Sequence, residues 1–203
     1  MSHATTQKVV KTKAHILAAA RRVLVEHGFA GLSTRRVAQI ADAPMSQIQY
    51  HFGSKEGMLV ALFEDMNAAL LERQGRLFDD PDLTLAEQWD LACDFLEDDL
   101  ESGYVRVLQE MTAAGWSDPE IAAAVRVMLG KWLEVLSDVA ARAANRIGGL
   151  GPFTAAEAGL IAGMPFLGAE TMILLGFTEE ELPMRSALRK FGEVLRQLED
   201  GTG

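Results

Sequence analysis

The sequence predicts an all-α fold: a three-helix N-terminal head carrying a helix-turn-helix, then a C-terminal helical bundle, about nine helices in 203 residues. Three observations predict it. Helix-start signals recur along the chain, apolar residues between them repeat at intervals of three and four, and no stretch alternates with the period of a strand. The start signal is the capping box, Ser or Thr with Glu three residues later, each side chain serving the other's free backbone N–H. It stands at Thr84/Glu87, Ser117/Glu120, Thr154/Glu157 and Thr178/Glu181. Trp116 with Ile121 and Phe177 with Leu182 have the spacing of hydrophobic staples.

The first helix runs from about Lys11 to His27, with Ile16, Ala20, Val23 and Leu24 inward and Gly28 as its stop. A short second helix follows Ser33, with Val37, Ile40 and Ala41 apolar. Ala41-Asp42-Ala43-Pro44 forms a turn, and Pro44 stops one helix while pre-setting the opening dihedral of the next. In the third helix only Ile48 and Phe52 are clearly apolar, four residues apart and so on one face. Ser54 starts a long fourth helix through Leu59, Leu62, Phe63, Met66 and Leu70. Further helices are expected over 84–101, 104–115, 118–147, 154–176 and 179–199, with Gly148–Gly151 as a linker. Pro165 removes one hydrogen bond from the penultimate helix and should kink it. In the last helix Met184, Leu188, Phe191, Leu195 and Leu198 keep a strict 4-3-4-3 spacing. Leu160, Met164, Leu167, Thr171, Leu174 and Leu175 line one side of the helix before it. Two such stripes from each of two chains would form the four-helix interface of a homodimer. The alternative is that both stripes face the chain's own core.

Charge divides the chain. Residues 1–60 hold eight Lys or Arg and three acids, a net charge of +5, whereas the rest holds 11 basic and 26 acidic residues, a net charge of −15. A basic head can meet a polyanion while an acidic body repels one, which confines contact to the head. The opening MSHATTQKVVKTKAH is polar and basic, unlike a secretory signal. The most apolar run, Ala158 to Ala169, ends at Glu170, short of the roughly 20 residues of a bilayer span. One cysteine, Cys93, forbids an internal disulfide and reads as a small buried hydrophobe. These features lead us to expect a cytoplasmic protein without a membrane partner.

Residues 33–52 have the spacing of a helix-turn-helix, whose second helix enters the major groove of double-stranded DNA. Ile48 and Phe52 would hold that helix on Val37 and Ala41, leaving Met45, Ser46, Gln47, Gln49 and Tyr50 to face base edges. Gln can bond adenine, Ser several bases, and Met can touch a thymine methyl. Thr34, Arg35, Arg36 and Lys55 supply the hydroxyl and cations that grip phosphates. Lys8, Lys11 and Lys13 would add sequence-blind, salt-dependent affinity from a flexible tail.

Thr34-Arg35-Arg36-Val37-Ala38, Ala41, Ile48, Tyr50-His51-Phe52 and Lys55-Glu56-Gly57-Met58-Leu59 resemble the DNA-binding signature of the TetR family of transcriptional regulators. The resemblance covers roughly residues 11–65. It implies a homodimeric repressor that binds a near-palindromic operator and is released by a small molecule. It further implies a flexible basic tail over 1–10, a helix-turn-helix domain over 11–54, and a ligand-binding and dimerisation domain over 55–203, with Leu160, Met164, Leu167, Thr171, Leu174, Leu188, Phe191, Leu195 and Leu198 at the dimer interface. His51 and Lys55 match positions that commonly touch the DNA backbone in that family. Two departures stand out: the family's common turn is Gly-Val-Ser, here Asp42-Ala43-Pro44, and its frequent Tyr directly after the apolar residue is here Gln49. Tyr50 either takes the displaced phosphate contact or reads a base.

Beyond the head, Trp89, Phe95, Met111, Trp116, Met128, Trp132 and Phe166 are candidate walls of a pocket for a small apolar organic ligand of unidentified structure. Residues of this size serve as core more often than as ligand wall. The acidic runs Glu97-Asp98-Asp99 and Glu179-Glu180-Glu181 read as solvated. All four His lie in the head and no nucleophile–base set is recognisable, so catalysis is not expected; no metal or cofactor is expected either. A helical dimer that binds a protein or a small molecule without an operator is the alternative function.

Overall fold

In the computed structural model the described residues are 3–201, with side chains from residue 12 onward. They form nine helices and no strand: α1 (His3–Gly31), α2 (Thr34–Ile40), α3 (Met45–Phe52), α4 (Lys55–Phe78), α5 (Leu85–Ser102), α6 (Tyr104–Gly115), α7 (Pro119–Ile147), α8 (Ala155–Leu174) and α9 (Met184–Glu199). The chain divides into two compact units, Met1–Ala68 with Gly103–Arg126, and Ala69–Ser102 with Val127–Gly203. The first boundary falls after Ala68 rather than near residue 55, and α6 joins the head because it packs on α1.

In the first unit α1 opens at His3, where the sequence reading places a flexible tail; the side chains of Lys8 and Lys11 lie outside the described residues. Gly28 breaks α1 with φ 66° and ψ −176°, so the helix proper stops where the sequence reading stops it, and residues 29–31 turn away. Ser33 caps α2 by accepting from the Arg36 N–H at 3.2 Å. Asp42 carries the turn in the left-handed region at φ 44°, which Asp tolerates better than most residues. Pro44 stands one residue before the first turn of α3, extended at ψ 142°. Ser54 Oγ accepts from the Gly57 N–H at 3.0 Å and starts α4. Ile16, Ala20, Val23 and Leu24 of α1, Val37 and Ala41, Ile48, and Leu59, Leu62 and Phe63 of α4 close one core with Val105, Met111 and Ile121. Burying a side chain such as Ile48 stabilises by about 1.5–3 kcal/mol.

Two helix starts differ from the sequence reading. At α7 Asp118 Oδ1, not Ser117, accepts the N–H groups of Glu120 and Ile121, at 2.9 and 3.2 Å. Asp118 is the residue before Pro119, where the helix begins, so the cap shifts one residue on. Trp116 is 84% exposed while Ile121 is buried, so the expected staple is not made. The Thr178/Glu181 box forms its reciprocal bonds but closes only a turn, because Pro183 disfavours helix at Leu182. α9 starts at Met184, and Glu179 caps it by accepting from the Arg185 and Ser186 N–H groups at 2.9 and 3.2 Å.

In the second unit the Thr84/Glu87 and Thr154/Glu157 boxes start α5 and α8 as expected. α5 and α9 enclose Cys93, Leu96 and Leu188 with Ala169 of α8. Arg185 pairs with Glu97 at 2.6 Å, and Arg189 with Asp94. Gly159 and Gly163 bring α8 onto α7: a Cβ at Gly159 would stand 2.8 Å from the Leu136 carbonyl carbon and the Ser137 nitrogen. α8 runs as helix through Pro165, whose exposed position leaves the unpaired carbonyl to solvent. By length and composition alone α8 would also pass for a bilayer span, a reading the shorter run in the sequence does not suggest. The acidic run 97–99 is not simply solvated. Arg73 bonds Asp99 at 2.8 and 2.9 Å and lies 4.1 Å over the Phe95 ring. Burial pushes Asp99 up from the usual carboxylate range, against the pull of the Arg73 guanidinium.

Candidate nucleic-acid interface

α3 separates its residues sharply by environment. Ile48 is 1% exposed and anchors the helix, whereas Tyr50 is 74% and Met45 48% exposed. Ser46, Gln47 and Gln49 are exposed as well. Five side chains able to read base edges thus stand on a short helix held by its apolar face. Tyr50 and His51 meet edge to face at 5.1 Å between centroids, and His51 is half-buried beside Phe52. Lys13 reaches from α1 to within 5.9 Å of the Phe52 ring, placing one more cation beside α3.

The cations assigned to phosphates have further employment. Arg36 Nη1 donates to the Gly31 carbonyl at 2.9 Å. Lys55 Nζ donates to the Phe29 carbonyl at 3.2 Å and sits 4.0 Å over the Phe29 ring. From α6, Glu110 Oε2 accepts the Phe29 N–H at 3.0 Å. The end of α1 is therefore held from α2, α4 and α6 at once. No local sequence signal points to Phe29 or Glu110, which are 81 residues apart. Each of the two cations uses part of its donor set internally: an ammonium has three N–H groups and a guanidinium five.

Residues 16–62 match the family model described as bacterial regulatory proteins, tetR family. Over 72 residues the chain is 38% identical to the HTH-type transcriptional repressor AcnR of Corynebacterium efficiens, covering 36% of this chain and 38% of that repressor. The likeness to the tetR family of bacterial regulatory proteins thus lies in the N-terminal segment that holds α2 and α3. The chain spans well under half the length of the curated relatives it matches. The fold likeness extends over nearly the whole molecule. A TetR-family transcriptional regulator from Agrobacterium tumefaciens superposes with a TM-score of 0.75 at 16% identity, over 93% of this chain and 98% of that one. The transcriptional regulator FadR from Bacillus subtilis, solved in complex with stearoyl-CoA, gives 0.71 at 18% identity, over 93% and 98%.

The seven large residues proposed from sequence as pocket walls are dispersed. Met111 is fully buried in the first unit's core, and Trp116, also in that unit, is 84% exposed. The other five belong to the second unit. Trp89 packs between Phe166 and Phe191, at 5.2 and 4.8 Å, and donates its indole N–H to the Leu188 carbonyl, so it ties α5 to α8 and α9. Trp132 lies against Gly163, Met128 is buried, and Phe95 stacks under Arg73.

The apolar stripes divide too. Leu188 is 6% exposed and faces the chain's own core, against its assignment to the dimer face. Leu160, Met164, Phe191 and Leu198 stay exposed, joined by Ile161 and Val194, which the sequence reading omits. Leu167, Thr171, Leu174 and Leu195 are half-buried. Cys93 is buried, and burial pushes its thiol up to about 11, far from the thiolate that redox chemistry needs.

Proposed function

We propose that this chain is a sequence-specific DNA-binding transcriptional regulator, a homodimeric repressor released by a small molecule. The observation that carries the proposal is α3: a helix anchored by buried Ile48 that turns Met45, Ser46, Gln47, Gln49 and Tyr50 outward from a head of net charge +5 over residues 1–60. In this reading those five side chains contact base edges, and Thr34, Arg35, Arg36, His51 and Lys55 contact phosphates. The dimer forms through the exposed parts of α8 and α9, Leu160, Ile161, Met164, Phe191, Val194 and Leu198, with Leu167, Thr171, Leu174 and Leu195 at its margin. Two heads then meet successive major grooves of a near-palindromic operator. A small apolar ligand bound in the second unit favours a head spacing that no longer fits, through its different affinity for the two states. The stearoyl-CoA bound to the FadR relative supports an apolar, long-chain class of effector. The setting is the cytoplasm, and no catalysis is involved.

Fluorescence anisotropy tests the proposal, using DNA from just upstream of the chain's own gene, a scrambled duplex and several salt concentrations. Tight, salt-sensitive binding with a margin over the scrambled duplex is expected. Gln47→Ala should relax base preference, and an unchanged preference profile in that variant would remove Gln47 from the reading face.

A further inference from the structure

We propose that Glu110 is a positioning residue for DNA binding, acting through the backbone of Phe29 on Lys55 and so on the α3–α4 junction. The inference rests on the DNA-binding reading above. The contacts form one chain. Arg106 pairs with Glu110 Oε1 at 2.7 Å through a guanidinium nitrogen, one turn back on α6. Glu110 Oε2 accepts the Phe29 N–H at 3.0 Å, and the Phe29 carbonyl accepts from Lys55 Nζ at 3.2 Å. Lys55 opens α4, three residues after α3 ends at Phe52.

The joint is built for this contact. Gly28 has no Cβ, and one placed there would stand 2.9 Å from Glu110 Oε1 and 3.3 Å from an Arg106 guanidinium nitrogen. Its φ of 66° turns residues 29–31 off the axis of α1 and aims the Phe29 N–H at the carboxylate. A carboxylate accepting a backbone N–H makes a stronger bond than a neutral acceptor does. The Phe29 ring also lies 4.0 Å under the Lys55 ammonium. Displacing Phe29 would thus remove both the carbonyl and the ring that aim Lys55. α6 thereby sets where the first cation after the reading helix points, without touching DNA itself.

The test uses the full chain and a duplex enriched by the protein from a random library, alongside a scrambled duplex. Glu110→Ala should weaken binding to the enriched duplex by about tenfold or more. Binding to the scrambled duplex should weaken by a similar factor, and the slope of affinity against salt should fall by about one, because Lys55 contacts a phosphate and not a base edge. Glu110→Gln keeps an acceptor for the Phe29 N–H and should recover most of the lost affinity. Amide hydrogen exchange at Phe29 should quicken in Glu110→Ala and much less in Glu110→Gln. A loss confined to the enriched duplex, an unchanged salt slope, or no loss on either duplex would overturn the inference. Should Glu110→Ala fail to fold, Glu110→Asp withdraws the carboxylate from Phe29 while keeping the charge and is read by the same loss on both duplexes and the same fall in salt slope. A wild-type chain that enriches no sequence would sink the regulator reading itself, whereas a selective wild type with an indifferent Glu110→Ala sinks only this proposal.

Discussion

Gly28→Ala perturbs the joint at the end of α1 in two separable ways. At φ 66° and ψ −176° the backbone occupies a region that is essentially reserved for glycine, and forcing a side chain into it costs about 1–3 kcal/mol. The added Cβ would also stand 2.9 Å from Glu110 Oε1, which must rotate away and release the Phe29 N–H. Losing a hydrogen bond to a charged group costs about 1.5–3 kcal/mol. Glu110 is a flexible side chain, so the smaller end of each range applies, and a total of about 2.5 kcal/mol is expected. Urea unfolding followed by far-ultraviolet circular dichroism measures it. The companion is Glu110→Ala alone and in the Gly28→Ala background. If the collision is real, the two losses combine to less than their sum, because the second change has no bond left to break. A loss under about 1 kcal/mol for Gly28→Ala would mean that α1 can end in another way and that the joint is not fixed by glycine.

Gly159→Ala sets a Cβ 2.8 Å from the backbone of Leu136 and Ser137, which cannot swing aside, and should cost about 1–3 kcal/mol, measured by urea titration. Gly168→Ala, on the same helix with open space around the added Cβ, should be neutral or stabilise by up to about 1 kcal/mol in the same titration. Bonds from the Thr154 backbone and side chain hold the Glu157 carboxyl below its ordinary value. Their contribution is therefore complete above the ordinary carboxylate range and is lost as pH falls through the lowered value in the folded chain. Glu157→Gln should accordingly lower the thermal midpoint at neutral pH and have little effect in acid, where the wild-type carboxyl is protonated as well. Cys93, buried and with its thiol pushed up to about 11, should resist iodoacetamide at neutral pH until urea unfolds the chain, as mass spectrometry of the alkylated protein will show.

What was legible in the sequence was local. The helix starts at Ser33, Ser54, Thr84 and Thr154 are written within four residues, and the structure forms each of them. The two that moved did so because of a proline, Pro119 and Pro183, whose effect on its neighbour outweighed the box pattern. The anchor Ile48 and the exposed set on α3 were also legible, since one face of a short helix follows from spacing alone. Glu110 was not legible, because its partner at Phe29 is remote in sequence and nothing in its own neighbourhood marks it. Nor was the pairing of Asp99 with Arg73: a run of three acids reads as solvated until the opposite helix is seen to bring a guanidinium to it.

The last helix shows why periodicity stops short of naming a partner. A 4-3-4-3 stripe over Met184–Leu198 is apolar along its length, yet α5 covers only part of it. Leu188 closes on Cys93 and Leu96, and its carbonyl takes the Trp89 indole N–H, while Phe191 and Leu198 remain 42% and 43% exposed. Val194, on the exposed side with Phe191 and Leu198, lies off the stripe. The spacing says that a helix has an apolar side; it does not divide that side between the chain's own core and a second chain. Here the division falls within the stripe, so one helix can hold α5 through Leu188 and still present Phe191, Val194 and Leu198 outward beside Leu160, Ile161 and Met164 of α8. An apolar surface of this kind on an isolated chain calls for a covering partner. In the proposed homodimer a second copy would supply the same two stripes in the reversed order that a two-fold axis requires. Leu188→Ala should therefore destabilise the chain whether or not it is dimeric, whereas Val194→Asp should weaken only the association.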